Sequence, residues 1–335
     1  MKILIDAMSG DNAPLEMIRG AVIAAGAFDC EITLIGDEDT ITKIAAEDKL
    51  EINRDNLRIA HAGSVISMED NPLSVVRDKN NSSMAVGLKM LAEGEGDAFV
   101  SAGNTGALHA GSTLIVRRIK GVKKSGIATI MPYGRPTLMV DCGANTELTA
   151  QSYLQFAQMG TIYMRNIFGI PSPEVGLLNI GSERTKGPKE LVEVYDMLER
   201  DASINFKGNV EGKELPYGVC DVLVTDGFTG NIVLKLTEGC GGYIMQRMKG
   251  VFYKNMLTKA SAMFVKSGMK ELKNDFSASE YGGAPLLGLS KPVIKAHGSS
   301  DAMAVKNAVR QAINYINTGI IYEIARVTAG DELGE

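Results

Sequence analysis

The sequence predicts an α/β fold, and three observations predict it. Short β-branched, apolar runs recur along the chain, each closed by a polar, glycine-bearing loop and followed by helical periodicity. The chain holds 37 glycines and no tryptophan, a balance that suits tight strand–helix turns better than an all-β sandwich. Hydrophobic residues make up 45% of its 335 positions, enough core for one large α/β domain or two smaller ones.

The elements follow in order. Lys2 to Ile5 reads as a strand running into Asp6-Ala7-Met8-Ser9-Gly10-Asp11-Asn12-Ala13-Pro14. There Gly10 suits a left-handed turn, Asn12 a cap and Pro14 the first turn of a helix reaching Ala25. Strands are expected at Glu31–Gly36, Leu57–Ala60 and Asp97–Ser101, with helices over 38–49, 83–93 and 107–117. Ile127–Met131 and Thr137–Asp141 read as consecutive strands, and a helix spans 150–167. Val175–Ile180 is a strand, Pro188 opens a helix to Glu199, and Phe206–Asn209 is a short strand.

The stretch Asp221 to Lys235, DVLVTDGFTGNIVLK, states the recurring pattern most clearly. Its strand ends at Thr225, the chain turns at Asp226-Gly227 and Gly230, and a helix is expected from Asn231. Unpaired N–H groups and the helix dipole make such a junction receptive to anions. Residues 281–288, YGGAPLLG, are glycine-rich and apolar and read as a tight hairpin or lid. Pro292–Ala296 is a last strand, followed by His297-Gly298-Ser299-Ser300-Asp301 and a closing helix over 302–317, with a frayed polar tail after Thr328.

Composition excludes several classes of function. Net charge is −5, so the chain as a whole is no nucleic-acid binder. Four cysteines without CxxC spacing and three histidines without HxH or HExxH argue against a zinc site, and reduced, packed thiols point to the cytosol. The N-terminus lacks the apolar core of a signal peptide, and no long apolar run predicts a membrane span.

Two regions are basic. Arg117, Arg118, Lys120, Lys123 and Lys124 cluster at a helix end, as a solvated C-terminus or a contact for an acidic partner. Residues 243–273 mix Ile244, Met245, Met248, Phe252, Met256, Met263 and Phe264 with seven Lys or Arg. That pattern fits a helix packed on a second subunit, or a basic amphipathic segment on an anionic bilayer.

Strand ends at Asp6, Ser101, Asp141, Ile180, Thr225 and Ala296 would converge on one edge of a parallel sheet, where ligands bind. Their side chains are mostly neutral: Asn104, Thr105, Asn145, Thr229, Asn231, Ser299 and Ser300. Such groups suit a small anion, and Lys186 would add a cation. Asp6, Asp141 and Asp226 would carry a metal, orient donors or simply close turns. Neither GxGxxG, a Walker A loop, a GxSxG elbow nor a Ser-His-Asp spacing is present. If acyl transfer occurs, the substrate anion itself is the expected nucleophile.

Eight segments in order carry a resemblance over nearly the whole chain: IDAMSGDNAP, SAGNTGAL, VDCGAN, GLLNIGSERTKG, KGNVEG, DVLVTDGFTGN, YGGAPLLG and HGSSD. Together they resemble the bacterial PlsX family of phosphate acyltransferases, with Ser9 standing where that family more often has Gly.

The resemblance implies a single domain over residues 1–335. Its fold would be a Rossmann-like three-layer α/β/α sandwich of the phosphate acetyltransferase and isopropylmalate dehydrogenase kind. Residues 243–273 would protrude as an amphipathic helical hairpin. It implies transfer of a long-chain acyl group from acyl carrier protein to inorganic phosphate, feeding phospholipid synthesis, with no cofactor. It also implies a cytoplasmic homodimer in peripheral contact with the anionic inner face of the cell membrane and the downstream membrane glycerol-3-phosphate acyltransferase.

By position, Lys186 and Asn231 would hold phosphate and the thioester carbonyl, and His297 would protonate the leaving thiolate or donate a hydrogen bond. Asn104, Thr105, Asn145, Asp226, Thr229 and Ser299 would bind phosphate or substrate. Met248, Phe252, Met256, Leu257 and Phe264 would contact membrane or acyl chain, and Leu286-Leu287 would extend the acyl groove. Three rivals stand beside this reading: an acyl-CoA-dependent phosphate acetyltransferase, a decarboxylating dehydrogenase and a non-catalytic membrane scaffold.

Overall fold

The computed structural model describes residues 1–131, 135–254, 265, 268 and 282–331. Its strands are β1 (Lys2–Asp6), β2 (Glu31–Gly36), β3 (Leu57–His61), β4 (Ala98–Ser101), β5 (Gly126–Met131) and β6 (Thr137–Val140), then β7 (Glu174–Asn179), β8 (Asn205–Glu211), β9 (Val222–Val224), β10 (Ala284–Leu287) and β11 (Val293–Lys295). The helices are α1 (Leu15–Ala27), α2 (Glu38–Glu47), α3 (Ser83–Glu93), α4 (Thr105–Gly111), α5 (Ala150–Phe168), α6 (Lys189–Arg200), α7 (Gly227–Phe252), α8 (Ala302–Asn317) and α9 (Ile320–Asp331). Among the described residues the strands form one sheet, ordered β3-β2-β1-β4-β11-β10-β5-β6-β9-β7-β8.

The layering follows from the two-residue period of a strand. In β1, Ile3 and Ile5 pack with Ile18 of α1 and Val305 of α8, while Leu4 turns to the opposite face with Met84 and Leu88 of α3. In the other half, Leu138, Val140, Val222 and Val224 pack with Phe156 and Met159 of α5, while Met139 and Leu223 face the other way. Each such fully buried aliphatic side chain contributes roughly 1.5–3 kcal/mol relative to exposure. Strands buried on both faces with helices on each side make this an α/β sandwich, as the sequence predicts.

The direction of the strands corrects one expectation. β1 to β4 and β11 run parallel. β10 runs against both β11 and β5, and β6 runs against β5. β9, β7 and β8 then run with β6. These three antiparallel junctions reverse the far half of the sheet, so the strand ends at Asp141, Ile180 and Thr225 point the opposite way from those at Asp6, Ser101 and Ala296.

Four elements differ from expectation. The helix expected over 107–117 is α4, capped by Asn104, and a π turn at Ser112–Val116 follows it. Residues 284–287 are not a lid: Leu286 and Leu287 are buried in β10 and cannot extend a groove. α7 starts at Gly227 rather than Asn231 and runs unbroken into the 243–273 segment. A further helix, α9, follows α8 and is seated by buried Ile320, Ile324 and Thr328, while residues 332–335 of the tail expected to fray lie outside the described residues. Met256, Leu257 and Phe264 lie outside the described residues.

Along α7, Phe228, Ile232, Leu236, Tyr243, Ile244 and Val251 are all exposed, a stripe at helical spacing. Among the described residues, no helix is long and apolar enough to cross a membrane.

Candidate active site

A cleft of about 940 Å³ lies where the loops after β1, β4, β6 and β11 meet α7. Asp11, Thr105, Asn231, Lys295, His297 and Ser299 supply much of its polar lining, and Ile127, Ile130, Leu234 and Met245 much of its apolar lining.

A backbone and a side-chain hydrogen bond hold the β1 and β11 loops together. Asp11 N donates to Gly298 O at 2.8 Å, and Asn12 Nδ2 donates to Ser299 O at 3.1 Å. Gly10 has a φ of +122°, and a Cβ there would lie 3.0 Å from Ala102 Cβ and 3.2 Å from Gly298 O. Only glycine combines that dihedral with that approach.

The N-terminus of α7 is clamped to the loop after β6. Asp226 caps it, accepting from Thr229 N at 2.8 Å and from Thr229 Oγ1 at 2.7 Å. Gly227 N donates to Asn145 O at 2.7 Å. A Cβ on Gly230 would sit 2.0 Å from Asp141 O, so this glycine is required by packing rather than by a turn. The next residue, Asn231, is half-buried and lines the cleft. Among the described residues no hydrogen bond to its side-chain amide is found, and Gly143 packs beside it.

Asp141 anchors the other side of that clamp. Fully buried, its carboxylate accepts from Ile127 N, Gly143 N and Ala144 N at 3.0–3.1 Å, and from Asn145 N and Nδ2 at 2.8 Å. Asn145 Nδ2 also donates to Ser125 O at 2.7 Å. His109 Nε2 meets Ser125 Oγ at 3.0 Å, and burial pushes its pKa down, which favours the neutral ring.

The predicted site residues therefore fall into four groups. Asn231, Thr105, His297 and Ser299 line the cleft. His297 Nδ1 accepts from Ser299 N at 3.2 Å and meets Ser299 Oγ at 2.8 Å, so in the neutral ring the proton sits on Nε2. Asn104, Asn145, Asp226 and Thr229 are occupied internally; Asn104 Oδ1 caps Ala107 N at 3.0 Å while its Nδ2 donates to Ser67 O and Met68 O. Lys186 stands apart on the β7–α6 loop, half exposed, 3.9 Å from Glu183 and outside the cleft lining. Met248 and Phe252 are half-buried on α7.

Sequence reasoning passed over Lys295. It is the last residue of β11, the one charged position in an apolar strand, and it is partly buried in the cleft. Its Nζ donates to Ala102 O at 3.2 Å and to Ala296 O. Burial pulls its pKa down to about 8, against the opposing pull of Asp11 and Asp6. Asp6 is itself fully buried, accepts from Ser101 Oγ at 2.8 Å and is pushed up by desolvation.

Cys142 also lines the cleft, but its Sγ donates to Met139 O at 3.1 Å and burial raises its pKa far above the ordinary thiol range. That environment disfavours a thiolate nucleophile. Among the described residues no group of three or more His, Cys, Asp or Glu could hold a metal ion.

Comparison with known proteins places this geometry. The fatty acid synthesis protein family matches residues 1–323. A phosphate acyltransferase of Caldanaerobacter subterraneus subsp. tengcongensis is 44% identical over 337 residues, covering 99% of each chain. One from Acetivibrio thermocellus is 45% identical over 326 residues, covering 97% of this chain and 95% of its own. In fold, the chain is similar to a phosphotransacetylase from Streptococcus pyogenes, with a TM-score of 0.64, 16% identity and coverage of 95% and 94%. It is also similar to the EutD phosphotransacetylase from Staphylococcus aureus, with a TM-score of 0.59, 17% identity and 94% coverage of both chains.

Proposed function

The chain belongs to the fatty acid synthesis protein family, as a phosphate acyltransferase, and from that premise we propose that it moves a long-chain acyl group from acyl carrier protein to inorganic phosphate. The acyl phosphate made in this way serves phospholipid synthesis. The observation that carries the reading is the cleft, which sets unspent polar groups beside an apolar wall. An anion and a fatty chain need those two environments side by side.

In this mechanism a phosphate oxygen attacks the thioester carbonyl, and the carbonyl oxygen gains negative charge in a tetrahedral intermediate. The carbon–sulfur bond then breaks, leaving acyl phosphate and the carrier thiolate. Phosphate already carries lone pairs and charge, so the protein need not generate a nucleophile; it positions and stabilises. Asn231, whose amide has no hydrogen-bond partner among the described residues, donates to the developing oxyanion. His297 donates a hydrogen bond from Nε2 to the departing sulfur. Thr105 and Ser299 hold phosphate oxygens. Asn104, Asn145, Asp226 and Thr229 serve the same site by fixing its loops. Lys186 adds positive charge for phosphate and the thioester carbonyl.

We further propose that residues 1–335 act as one domain. Residues 243–273 would form a protruding helical hairpin, and the exposed stripe of α7 would be covered in a homodimer. Met248, Phe252, Met256, Leu257 and Phe264 would face acyl chain or membrane, at the anionic inner surface where the next acyltransferase consumes the product.

The test is to mix purified protein, acyl carrier protein thioester and phosphate, and to follow thiol release and acyl phosphate. Phosphate-dependent release from the carrier thioester is expected; release only from acyl-CoA would move the donor assignment. Lys186→Ala should cut turnover at least about tenfold with the fold intact, the loss typical of one removed charge-stabilising donor. Near-normal turnover would remove Lys186 from the site. Met256→Glu should weaken binding to anionic vesicles, and unchanged binding would assign that face to protein packing.

A further inference from the structure

The geometry points to Lys295 as the group that holds the phosphate nucleophile in the cleft, an assignment that rests on the acyl-transfer reading above.

Three observations carry it. First, Lys295 ends β11 at the junction of three loops: its Nζ donates to Ala102 O after β4 and to Ala296 O just past its own strand, within the field of Asp11 after β1. An ammonium has three N–H donors, and these two carbonyls take two of them. Second, among the described residues no carboxylate lies within ion-pair distance of Nζ, although Asp6 and Asp11 are near enough to act on it. A lysine that is partly buried and not directly paired is costly, and an incoming anion relieves that cost. Third, the charge sits inside the cleft lining, beside His297 and Ser299, whereas Lys186 does not.

The surrounding charges fit an anion that arrives and leaves. Asp6 and Asp11 face Lys295 from β1 and its loop, His297 from its own loop and Asp301 from the cap of α8. Lys235 and Glu238 face the cleft from α7. A free lysine held at about 8 is mostly charged at neutral pH, and its charge is gained fully once a dianion sits beside it. The same lysine stays with the phosphoryl group after transfer, because the carbon–sulfur bond breaks on the far side of the new carbon–oxygen bond. It therefore binds both the substrate phosphate and the acyl phosphate product.

The experiment compares wild type with Lys295→Met and Lys295→Arg in phosphate-dependent thiol release, with saturation curves for each substrate. Wild-type release that ignores phosphate would fail the underlying acyl-transfer reading and says so before any variant is made. With that control passed, Lys295→Met should raise the KM for phosphate at least about tenfold and leave the KM for acyl carrier protein within about twofold. Lys295→Arg should recover most of the affinity. In wild type the phosphate KM should climb above pH 8, where phosphate is already a dianion and Lys295 loses its proton; the methionine variant should lack that climb. A Lys295→Met enzyme with an unchanged phosphate KM overturns the assignment, as does an equal rise in both KM values.

A readout in the wild type guards against misfolding of the variant. The lysines are reductively methylated with labelled formaldehyde, and the Lys295 signal, assigned by its absence in Lys295→Arg, is titrated by NMR with and without inorganic phosphate. Phosphate should move its midpoint upward. A midpoint that does not respond to saturating phosphate overturns the assignment.

Discussion

Two loops border the cleft and use their polar groups in opposite ways. The 141–145 loop spends them inwardly: Asp141 accepts five hydrogen bonds from its neighbourhood, and the Asn145 amide is taken by Asp141 and Ser125. The 295–300 stretch leaves its groups partly unspent: among the described residues Lys295 has no direct carboxylate partner and His297 Nε2 has no hydrogen-bond partner. Similar residue types therefore do different jobs. A buried polar group that is fully paired fixes shape, while one left short of partners waits for a ligand.

The largest test of that contrast is Asp141→Ala. It strands four backbone N–H groups and one side-chain amide in the core, and about 3–5 kcal/mol of stability should go with them, read by denaturant unfolding. A loss below about 1 kcal/mol would show that the loop holds its form without the carboxylate.

Across the cleft, Asn231→Ala should do the reverse. Turnover should fall about tenfold or more, as for loss of an oxyanion donor, while the unfolding midpoint stays in place. A shifted midpoint with normal turnover would move Asn231 to the structural side of the comparison.

The next effect is in pH. The folded-state pKa of Lys295 is pulled down to about 8, below its unfolded value of 10.5. Between those values the unfolded chain holds more protons than the folded one, so this residue makes stability rise with pH across that window and costs stability below it. The slope of unfolding free energy from pH 8 to 10 should therefore be smaller in Lys295→Met than in wild type. Equal slopes would show that the lysine is better solvated than its surroundings imply.

The smallest effect should come from the cysteines. Cys142 and Cys30 are raised by burial, Cys220 is pushed up to about 12, and Cys240 is exposed. Replacing all four with Ala or Ser should leave turnover within about threefold, since a buried, protonated thiol is a poor nucleophile. Abolished turnover in a folded variant would revive a thiol mechanism.

How much of this was legible in the sequence depends on what set each feature. The spans of β2, α3 and α8 could be read directly, because local periodicity and capping agree with their packing: Ser82 caps α3 through Ala85 N, and Gly94 closes it with a φ of +83°. β10 was obscured because Gly282, Gly283 and Pro285 carry turn chemistry, yet pairing with β11 and β5 makes 284–287 a strand. The start of α7 was obscured for the same kind of reason. Gly227 and Gly230 read as turn residues, whereas contacts with Asn145 and Asp141 O are what exclude a side chain there.

The site was legible as chemistry and less so as position. Asn231, Thr105 and Ser299 were found from loop composition and His297 from the family resemblance, and they do line the cleft. Asn104 and Asn145 look the same in sequence, and only the fold shows that their amides are already engaged. Lys295 was missed because it ends a strand rather than sitting in a loop, and the depth of its burial is a property of three loops brought together.

The length of α7 has a mechanical consequence. Asn231 sits in its first turns and Phe252 at its last, a separation of about 30 Å at 1.5 Å per residue. The near end is pinned where Gly230 meets Asp141 O, so the helix is a lever with a tight fulcrum and a long arm. A tilt of about 5° would carry the far end nearly 3 Å while moving Asn231 only by tenths of an ångström. Whatever grips the outer half of α7 therefore acts on the cleft through a large mechanical reduction, converting a coarse displacement at the surface into a fine adjustment of one amide.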